Sequence, residues 1–594
     1  MECCMTHAPR AHQSCAIPRL LLSGLACALL GACASSGVGR GTTSSARYSP
    51  ESLRRDAALL RLVDQRVHDT LLIDSLLQDP SPDRRARTAL AIGQVRMTAR
   101  YPALRRLLLD GDTSVAANAA YAMGIGRDTV GVLALARAVG GAPDPVAREA
   151  AWSLGEIGEP ARPVIALALG EGVVRPRELS TAAQRAASVR AALLLAAAKL
   201  RPAPVALVVP WLADSAPDVA RAAAYVISRN RLAGGVRALL ALRAHPDEEV
   251  RQHVARALAR TQVGDSLAAP AIDALRVLLT DQSERVRVNA VRSAATFGDA
   301  LAEQVMARFA DTAPNVRVAA AEGFADVAQR DASRWNRAWQ ADTQLVTRRT
   351  LLPQARRLGV DVFSNVETEW AGHGDWRVRV AAMQGRERNA MRAEDSTLAQ
   401  RLLQDSDVRV QRAARARLGI RDTTPRPPRS TAAIERPMAD YEALAARYLR
   451  PGAARPVAHI ETEHGRITLE LASREAPLVV EAFTRLAQNG TYRNSIFHRV
   501  VPNFVVQDGD VNGDGSGGSA GFTLRESWTR LRHDRGCLGL ATAGPDTGGS
   551  QYYLCHASQP HLDGAYTVFG RVIAGFEVMD RIVQGDLMLQ VRVP

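Results

Sequence analysis

One pattern of apolar and polar positions recurs through the middle of the chain. A polar or Asp-bearing turn is followed by valine, and apolar residues, many of them alanine, recur three, four and seven positions later. This spacing places the apolar side chains on one face of a helix. Val115 and Val146 lie 31 residues apart, and Val286 and Val316 lie 30 apart. The marker valines of the pattern are Val115, Val146, Val189, Val219, Val250, Val286, Val316, Val346, Val378 and Val408.

A helical repeat of this length predicts an α-solenoid. One helix pair cannot bury both of its faces, so neighbouring units must stack to form a core. The D-x-x-V-R-x-x-A pattern resembles short HEAT-like repeats, and roughly ten or eleven units would fill residues 51–420. We expect Asp and Arg of successive units to form a ladder of ion pairs. Because HEAT-like arrays bind proteins along a concave groove, the resemblance implies protein partners on this array.

The pattern changes from helical to alternating near residue 455. Residues 421–454 form a predicted linker, Pro-rich and polar at first and then helical over 439–452 up to a Pro-Gly stop. Residues 457–471 predict two strands joined by a turn at His464-Gly465. An amphipathic helix with proline in its first turn follows, and Asn489-Gly490 ends it. We therefore predict a separate β-rich domain over residues 455–594.

The stretch QDGDVNGDGSGG, residues 507–518, has five glycines and three aspartates. Its first half fits a calcium-binding loop, but Ser519 stands where a bidentate glutamate is required, and strand-like residues precede it. It meets the phosphate-binding pattern G-x-G-x-x-G through composition alone, and no basic residue lies between Arg499 and Arg525. A surface loop is the interpretation that remains.

The residues before this loop identify its context. SIFHRVVPNFVVQDGD, residues 495–510, closely resembles the F-H-R-V-[IV]-x-x-F-x-x-Q-G-G-D signature of cyclophilins, the peptidyl-prolyl cis–trans isomerases. Further family motifs follow in the same order and spacing: ATAGP at 541–545, GSQYY at 549–553, LDG at 562–564 and VFG at 568–570. The resemblance implies an eight-stranded antiparallel β-barrel of cyclophilin type with two capping helices, placed after the solenoid.

The resemblance also implies a catalytic site that uses no nucleophile, metal or cofactor. Arg499 would donate to the prolyl nitrogen, with Phe504 in the proline pocket and Gln507 orienting both Arg499 and the substrate carbonyl. Ala541 and Thr542 would offer backbone groups to the residues before the proline. The remaining substrate-binding positions that the resemblance implies are Val505, Tyr553, His561, Leu562 and Tyr566.

Four positions depart from the pattern of many cyclophilins. Val505, Tyr553 and His561 stand where Met, Phe and Trp are common, and Asp508 replaces the first glycine of the signature. A tyrosine hydroxyl in an apolar pocket needs a hydrogen-bond partner. Two hypotheses follow: an isomerase of envelope proteins whose array recruits Pro-containing clients, or a catalytically weak scaffold that binds Pro-containing segments.

The N-terminal residues predict export. An apolar stretch at 20–31, too short to span a bilayer comfortably, follows positive charges and runs into Leu-Gly-Ala-Cys at 30–33, which resembles the bacterial lipobox. The resemblance implies that residues 1–32 are a signal peptide, that Cys33 carries lipid, and that residues 33–50 are a flexible tether. Because no Asp follows Cys33, we expect a lipid-anchored protein on the outer membrane, facing the periplasm.

Charge and cysteine content add little to this picture. A net charge of +14 would suit anionic partners. However, Lys199 is the single lysine, the arginines are interspersed with acidic residues, and no basic block with aromatic residues occurs, so we predict no nucleic-acid binding. Of the seven cysteines, Cys537 and Cys555 alone lie beyond the lipobox, in apolar runs that predict buried thiols. The scattered histidines show no metal-ligand spacing, so no metal site is predicted.

Overall fold

Two kinds of structure follow one another along the chain: paired helices up to residue 421 and antiparallel strands from residue 457. The computed structural model describes residues 48–170, 186–360, 365–384, 393–421, 436–515 and 522–594. Within these ranges no helix has both the length and the apolar character needed to span a membrane. The predicted signal peptide and Cys33 lie outside the described residues, as does most of the tether.

The α-helices of the array form two layers. They are α1 (Pro50–Gln65), α2 (Thr70–Leu77), α3 (Pro82–Gln94), α4 (Tyr101–Leu107), α5 (Thr113–Ile125), α6 (Val132–Gly141), α7 (Asp144–Ile157), α8 (Arg162–Leu169), α9 (Ala187–Ala197), α10 (Val205–Val208), α11 (Pro217–Arg229), α12 (Ala233–Leu240), α13 (Glu248–Ala257), α14 (Arg260–Val263), α15 (Ala268–Leu278), α16 (Glu284–Ala295), α17 (Ala302–Met306), α18 (Pro314–Glu322), α19 (Phe324–Ala328), α20 (Ala332–Ala341), α21 (Leu345–Arg357), α22 (Val366–Ala371), α23 (Trp376–Gln384), α24 (Ala393–Leu402) and α25 (Val408–Leu418). Helices α3, α5, α7, α9, α11, α13, α16, α18, α21, α23 and α25 form an inner layer in which each packs against the next.

The marker valines lie on the inner helices, one on each from α5 to α25. Val115 on α5 is fully buried, and the Asp112 side chain caps that helix by accepting from two backbone N–H groups. Small residues bring these helices close together: a Cβ at Gly93 of α3 would lie 2.7 Å from the Ala122 carbonyl oxygen of α5. The last unit departs from the prediction. Val408 begins α25 and is 43% exposed, and Val410 takes the buried position instead.

The expected ladder of ion pairs is present. Arg251 of α13 pairs with Asp281 at 2.7 Å, and the same carboxylate accepts from the backbone N–H of Ser283 in the turn before α16. Each aspartate of this kind thus fixes its own turn and holds the preceding unit. The other pairs of the ladder, with N–O distances of 2.8–3.3 Å, are Arg85–Asp110, Arg190–Asp214, Arg221–Asp247, Arg287–Asp311, Arg317–Asp342 and Arg379–Asp405.

The C-terminal domain is one curled antiparallel sheet with two helices. Its strands are β1 (Val457–Thr462), β2 (Gly465–Leu471), β3 (Ser495–Ile496), β4 (Arg499–Val501), β5 (Val505–Asp508), β6 (Cys537–Leu540), β7 (Tyr552–Cys555), β8 (Val568–Ala574) and β9 (Leu587–Arg592), in the order β3-β9-β1-β2-β8-β6-β7-β5-β4. The described strands exceed the expected eight by one, because Ser495 and Ile496 pair with β9. The capping helices, numbered after α26 (Met438–Leu444), are α27 (Pro477–Gln488) and α28 (Phe576–Arg581).

Helix α26 connects the two halves of the molecule. It continues as a π-helical turn, Ala445–Leu449, and its apolar residues share a core with α1 and the sheet. The buried Tyr441 hydroxyl donates to the Asp64 carboxylate of α1 at 2.7 Å, and Arg436 pairs with the same carboxylate at 2.7 Å. The short helix predicted in the linker is therefore part of the β-domain's core.

The inner layer of the array lines the β-domain. Arg377 of α23 pairs with Glu463 at 2.9 Å, and Arg532 of the β-domain forms an ion pair with the fully buried Glu149 of α7. The Arg532 guanidinium also lies 5.0 Å from the ring centroid of Trp152. Further contacts of this interface are Arg66–Asp546, Gln94–Trp528, Tyr225–His561, Arg285–Asn503, Asn315–Asp580 and Arg412–Asn512. The groove expected to receive protein partners thus holds the chain's own β-domain.

Candidate active site

Strands β4 and β5 bring together the predicted catalytic residues. The antiparallel register places Arg499 opposite Gln507. Arg499 is exposed, and its Nη1 donates to the Gln507 Oε1 at 3.3 Å. The Gln507 amide in turn donates to Gln551 Oε1 at 2.9 Å. A chain of two amides therefore orients a guanidinium that remains open to a ligand.

The turn between these strands places an aromatic ring beneath Arg499. Asn503 adopts a left-handed conformation with φ of 62°, which suits asparagine in tight turns. Phe504 follows, and the Arg499 guanidinium carbon lies 5.5 Å from its ring centroid. A cation and an aromatic face are thereby set side by side.

The predicted pocket residues form one apolar cluster. Val505 and Tyr553 are buried in it, and Phe504 and Leu562 pack against it half-buried. The cluster also includes Ala541 and Tyr566, as well as the buried free thiols of Cys537 and Cys555. Thr542 follows Ala541 beyond the end of β6 and is half-buried. An apolar recess beside an exposed cation can hold a proline ring while polar groups grip the flanking chain.

The Tyr553 hydroxyl has a buried hydrogen-bond partner. Its oxygen lies 2.8 Å from Nε2 of His533, whose Nδ1 lies 2.9 Å from the Asp563 carboxylate. Because a carboxylate only accepts, His533 donates from Nδ1 and accepts the Tyr553 proton at Nε2. Gly539 lies opposite Tyr553 in the sheet, and a Cβ there would collide with the phenol ring. The hydroxyl is therefore satisfied within the protein and does not leave an unpaired polar group in the pocket.

The array reaches the rim of the site at His561. The His561 ring stacks on Phe504 with centroids 5.9 Å apart, and the Tyr225 hydroxyl of α11 lies 3.4 Å from its Nδ1. Burial, together with Arg229 and Arg256 of the array, lowers the pKa of His561 to about 4. His561 is therefore neutral at pH 7 and acts as an aromatic wall.

Two carboxylates of the glycine-rich loop, Asp508 and Asp510, are buried, whereas Asp514 is exposed. Asp508 is fully buried and accepts from the Ser495 hydroxyl at 2.9 Å, and burial raises its pKa to about 7. Asp510 accepts from the backbone N–H of Asn512 at 3.0 Å and of Asp514 at 3.2 Å. These carboxylates serve the loop itself, as a structural connector requires. Residues 516–518 lie outside the described part of the loop.

A different acidic group has the composition of a metal site. Glu463, His464 and Asp586 offer ligand atoms within 4.8 Å of one another, and it is the one such group among the described residues. However, Glu463 is already paired with Arg377, and His464 Nε2 lies 2.7 Å from the Asp586 carboxylate. These pairs account for the cluster as part of the interface between the array and the β-domain.

Contacts join nine of the ten predicted catalytic and substrate-binding residues at one site, and Thr542 follows the ninth, Ala541, along the chain; their individual roles stay predictions. Sequence reasoning missed two residues that support them. Gln551 lies within the quoted GSQYY motif and could have been found there as the partner of Gln507. His533 lies in a stretch with no motif, and nothing in the sequence linked it to Tyr553.

Comparison with known proteins supports both halves of this description. The family model "Cyclophilin type peptidyl-prolyl cis-trans isomerase/CLD" matches residues 457–593, and the HEAT-repeat model matches 70–155 and 236–325. A peptidyl-prolyl cis-trans isomerase of Helicobacter pylori is 44% identical over 134 residues, covering 22% of this chain and 82% of the relative. Peptidyl-prolyl cis-trans isomerase B of Bacillus subtilis is 44% identical over 130 residues, covering 22% and 90%. A cyclophilin-type isomerase structure from Cryptosporidium parvum has 29% identity and a TM-score of 0.23, covering 24% and 98%.

Proposed function

The chain belongs to the cyclophilin family of peptidyl-prolyl cis–trans isomerases, and we propose that it isomerises X-Pro bonds of cell-envelope proteins with Arg499 as its catalytic donor. The observation that carries this proposal is the exposed Arg499 guanidinium, held by Gln507 beside an apolar pocket. The array would hold the catalytic domain and contribute to binding its clients.

The chemistry follows from the resonance of the peptide bond. Rotation about an amide bond has a barrier of roughly 20 kcal/mol, and uncatalysed X-Pro exchange takes tens to hundreds of seconds. When the bond twists, resonance is lost and a lone pair develops on the prolyl nitrogen. A donor placed beside that nitrogen binds the twisted state better than either planar isomer, and so lowers the barrier.

Each part of the site has a role in this scheme. Phe504, Val505 and Leu562 would hold the proline ring away from water. Gln507 would fix the direction of Arg499 and of the substrate carbonyl, and Gln551 would fix Gln507. Ala541 and Thr542 would bind the backbone before the proline, so that rotation is confined to the X-Pro bond.

The N-terminal sequence supports our proposal for the site of action. The apolar segment that ends at Cys33 supports lipid attachment, and the Gly/Ser-rich residues after it support a tether of flexible chain. We place the protein on the outer membrane, facing the periplasm, where Pro-containing envelope proteins would be its clients. Since the β-domain occupies the inner face of the array, client binding by the array would use surfaces beside the active site or on the outer helices.

A direct test measures isomerisation of X-Pro peptides by residues 48–594, which form one compact unit. We expect Arg499→Ala to lower kcat/KM by about 100-fold or more, the effect of removing one preorganised donor. Arg571→Ala is the matched control, because Arg571 is an exposed arginine of β8 paired with Glu470. A folded wild-type protein without activity on several X-Pro peptides would instead establish the binding-scaffold alternative.

A further inference from the structure

A cavity of about 540 Å³ separates three inner helices of the array, α11, α13 and α16, from the His561 side of the active site. Phe504 and His561 form part of its wall on the β-domain, and Tyr225 and His253 form part of its wall on the array. Phe504 also belongs to the predicted proline pocket, so the pocket and the cavity share a wall. An extended chain advances about 3.3 Å per residue, so a bound polypeptide enters the cavity within a few residues of its proline.

The cavity has a strongly one-sided charge. Its described lining residues include no Asp and no Glu, but they include four arginines: Arg229, Arg231, Arg256 and Arg292. Arg292 pairs with Glu322 at 2.8 Å and donates to the Pro502 carbonyl at 2.8 Å. For the other three, no carboxylate of the described residues lies within 4.0 Å of the guanidinium nitrogens. This differs from the arginines of the ladder, each of which meets an aspartate.

The uncompensated cations face the space that a ligand would fill. Arg229 at the end of α11 and Arg256 on α13 are both exposed. The protein packed around the Arg256 side chain partly desolvates its guanidinium and, together with the neighbouring Arg229, lowers its pKa. The cost of bringing these cations together would be offset by an anion that binds between them.

We propose, building on the isomerase function above, that this four-arginine cavity is a specificity subsite that binds an acidic residue shortly after the substrate proline. The direction along the substrate follows from the position of the cavity. Ala541 and Thr542, assigned to the residues before the proline, are absent from its described lining, whereas Phe504 and His561 are part of it. The subsite is formed by the array and the β-domain together, so the array contributes directly to substrate choice.

The test compares two peptides on residues 48–594: Gly-Ala-Pro-Ala-Glu-Glu-Gly and the same peptide with Gln in place of both Glu residues. Exchange spectroscopy by NMR gives kcat/KM for each unlabelled peptide. We expect the wild type to favour the acidic peptide by about tenfold, mainly through KM, and salt to reduce the ratio by screening. The double variant Arg229→Gln/Arg256→Gln is expected to bring the ratio close to one. Arg237→Gln on α12 is the control arginine and is expected to keep the preference.

Each outcome separates the subsite from the isomerase activity. Equal kcat/KM values for both peptides in an active wild type would overturn the subsite and leave the enzyme. A preference that survives in the double variant would overturn the role of Arg229 and Arg256. If neither peptide is isomerised, the proposed function fails, and fluorescence anisotropy of the labelled peptides then decides the subsite: tighter binding of the acidic peptide, lost in the double variant, supports it, and equal binding refutes it.

Discussion

The buried carboxyl of Asp508 should make the stability of the β-domain depend on pH in an unusual direction. Burial raises its pKa from an ordinary value of 3.8 to about 7. The folded protein therefore holds this proton more tightly than the unfolded chain, so the stabilisation is lost as pH rises from about 4 through 7. With these two pKa values, linkage predicts that the unfolding free energy falls by about 2.5 kcal/mol as the pH rises from 5 to 8.

The Asp508→Asn variant isolates this effect, since an amide can keep the contacts to Ser495 and to the Gly509 N–H without titrating. Urea unfolding of residues 48–594, followed by tryptophan fluorescence at pH 5, 6, 7 and 8, measures both proteins. As the pH rises from 5 to 8, we expect the unfolding free energy of the wild type to fall by about 2.5 kcal/mol relative to that of the variant. Other titrating groups cancel in that difference. Parallel pH profiles would refute a raised pKa for Asp508.

Two further predictions concern buried polar contacts. Tyr553→Phe leaves Nε2 of His533 without its donor and should lower the unfolding free energy by about 1–3 kcal/mol, while kcat/KM stays within about tenfold; a neutral effect in urea unfolding would contradict the hydrogen bond. Arg532→Ala leaves one oxygen of the buried Glu149 carboxylate unpaired and should cost about 3 kcal/mol, against less than about 0.5 kcal/mol for the exposed Arg571→Ala in the same denaturation assay. Equal effects of the two arginine variants would show that the interface pair is not buried in solution.

The sequence predicted the inner helices and the ion-pair ladder, because short repeated patterns of residues determine both. The marker valines located the inner helices because each unit repeats the same buried face, and the ladder followed because Asp and Arg recur at one spacing. Val408 shows the limit of that reasoning: it fits the repeat, but α25 begins at this residue and buries Val410 instead. Arg499 and Gln507 could be placed opposite each other from the sequence because one contiguous motif fixes them on the adjacent strands β4 and β5.

Contacts between distant parts of the chain could not be predicted in the same way. His533 and Tyr553 are 20 residues apart, and no repeat or motif links the two positions, so the sequence does not predict their hydrogen bond. Glu149 and Arg532 are 383 residues apart, and the sequence around Glu149 looks like that of any inner helix. The sequence did not predict that the β-domain fills the groove for the same reason. The array residues that bind the β-domain can be recognised only when the array and the β-domain are both folded.

The position of the β-domain inside the array has a consequence for how the chain matures. Arg66, just after the first helix, contacts Asp546, which is 480 residues later. A chain synthesised from its N-terminus would form helical units early, but their inner faces would stay uncovered until the final domain emerged. The β-domain, which is synthesised last, would then act as the template on which the earlier helices take their final arrangement. Loss of the C-terminus by truncation would accordingly expose the apolar and arginine-rich surface of the inner helices, and would make the array a substrate for proteases.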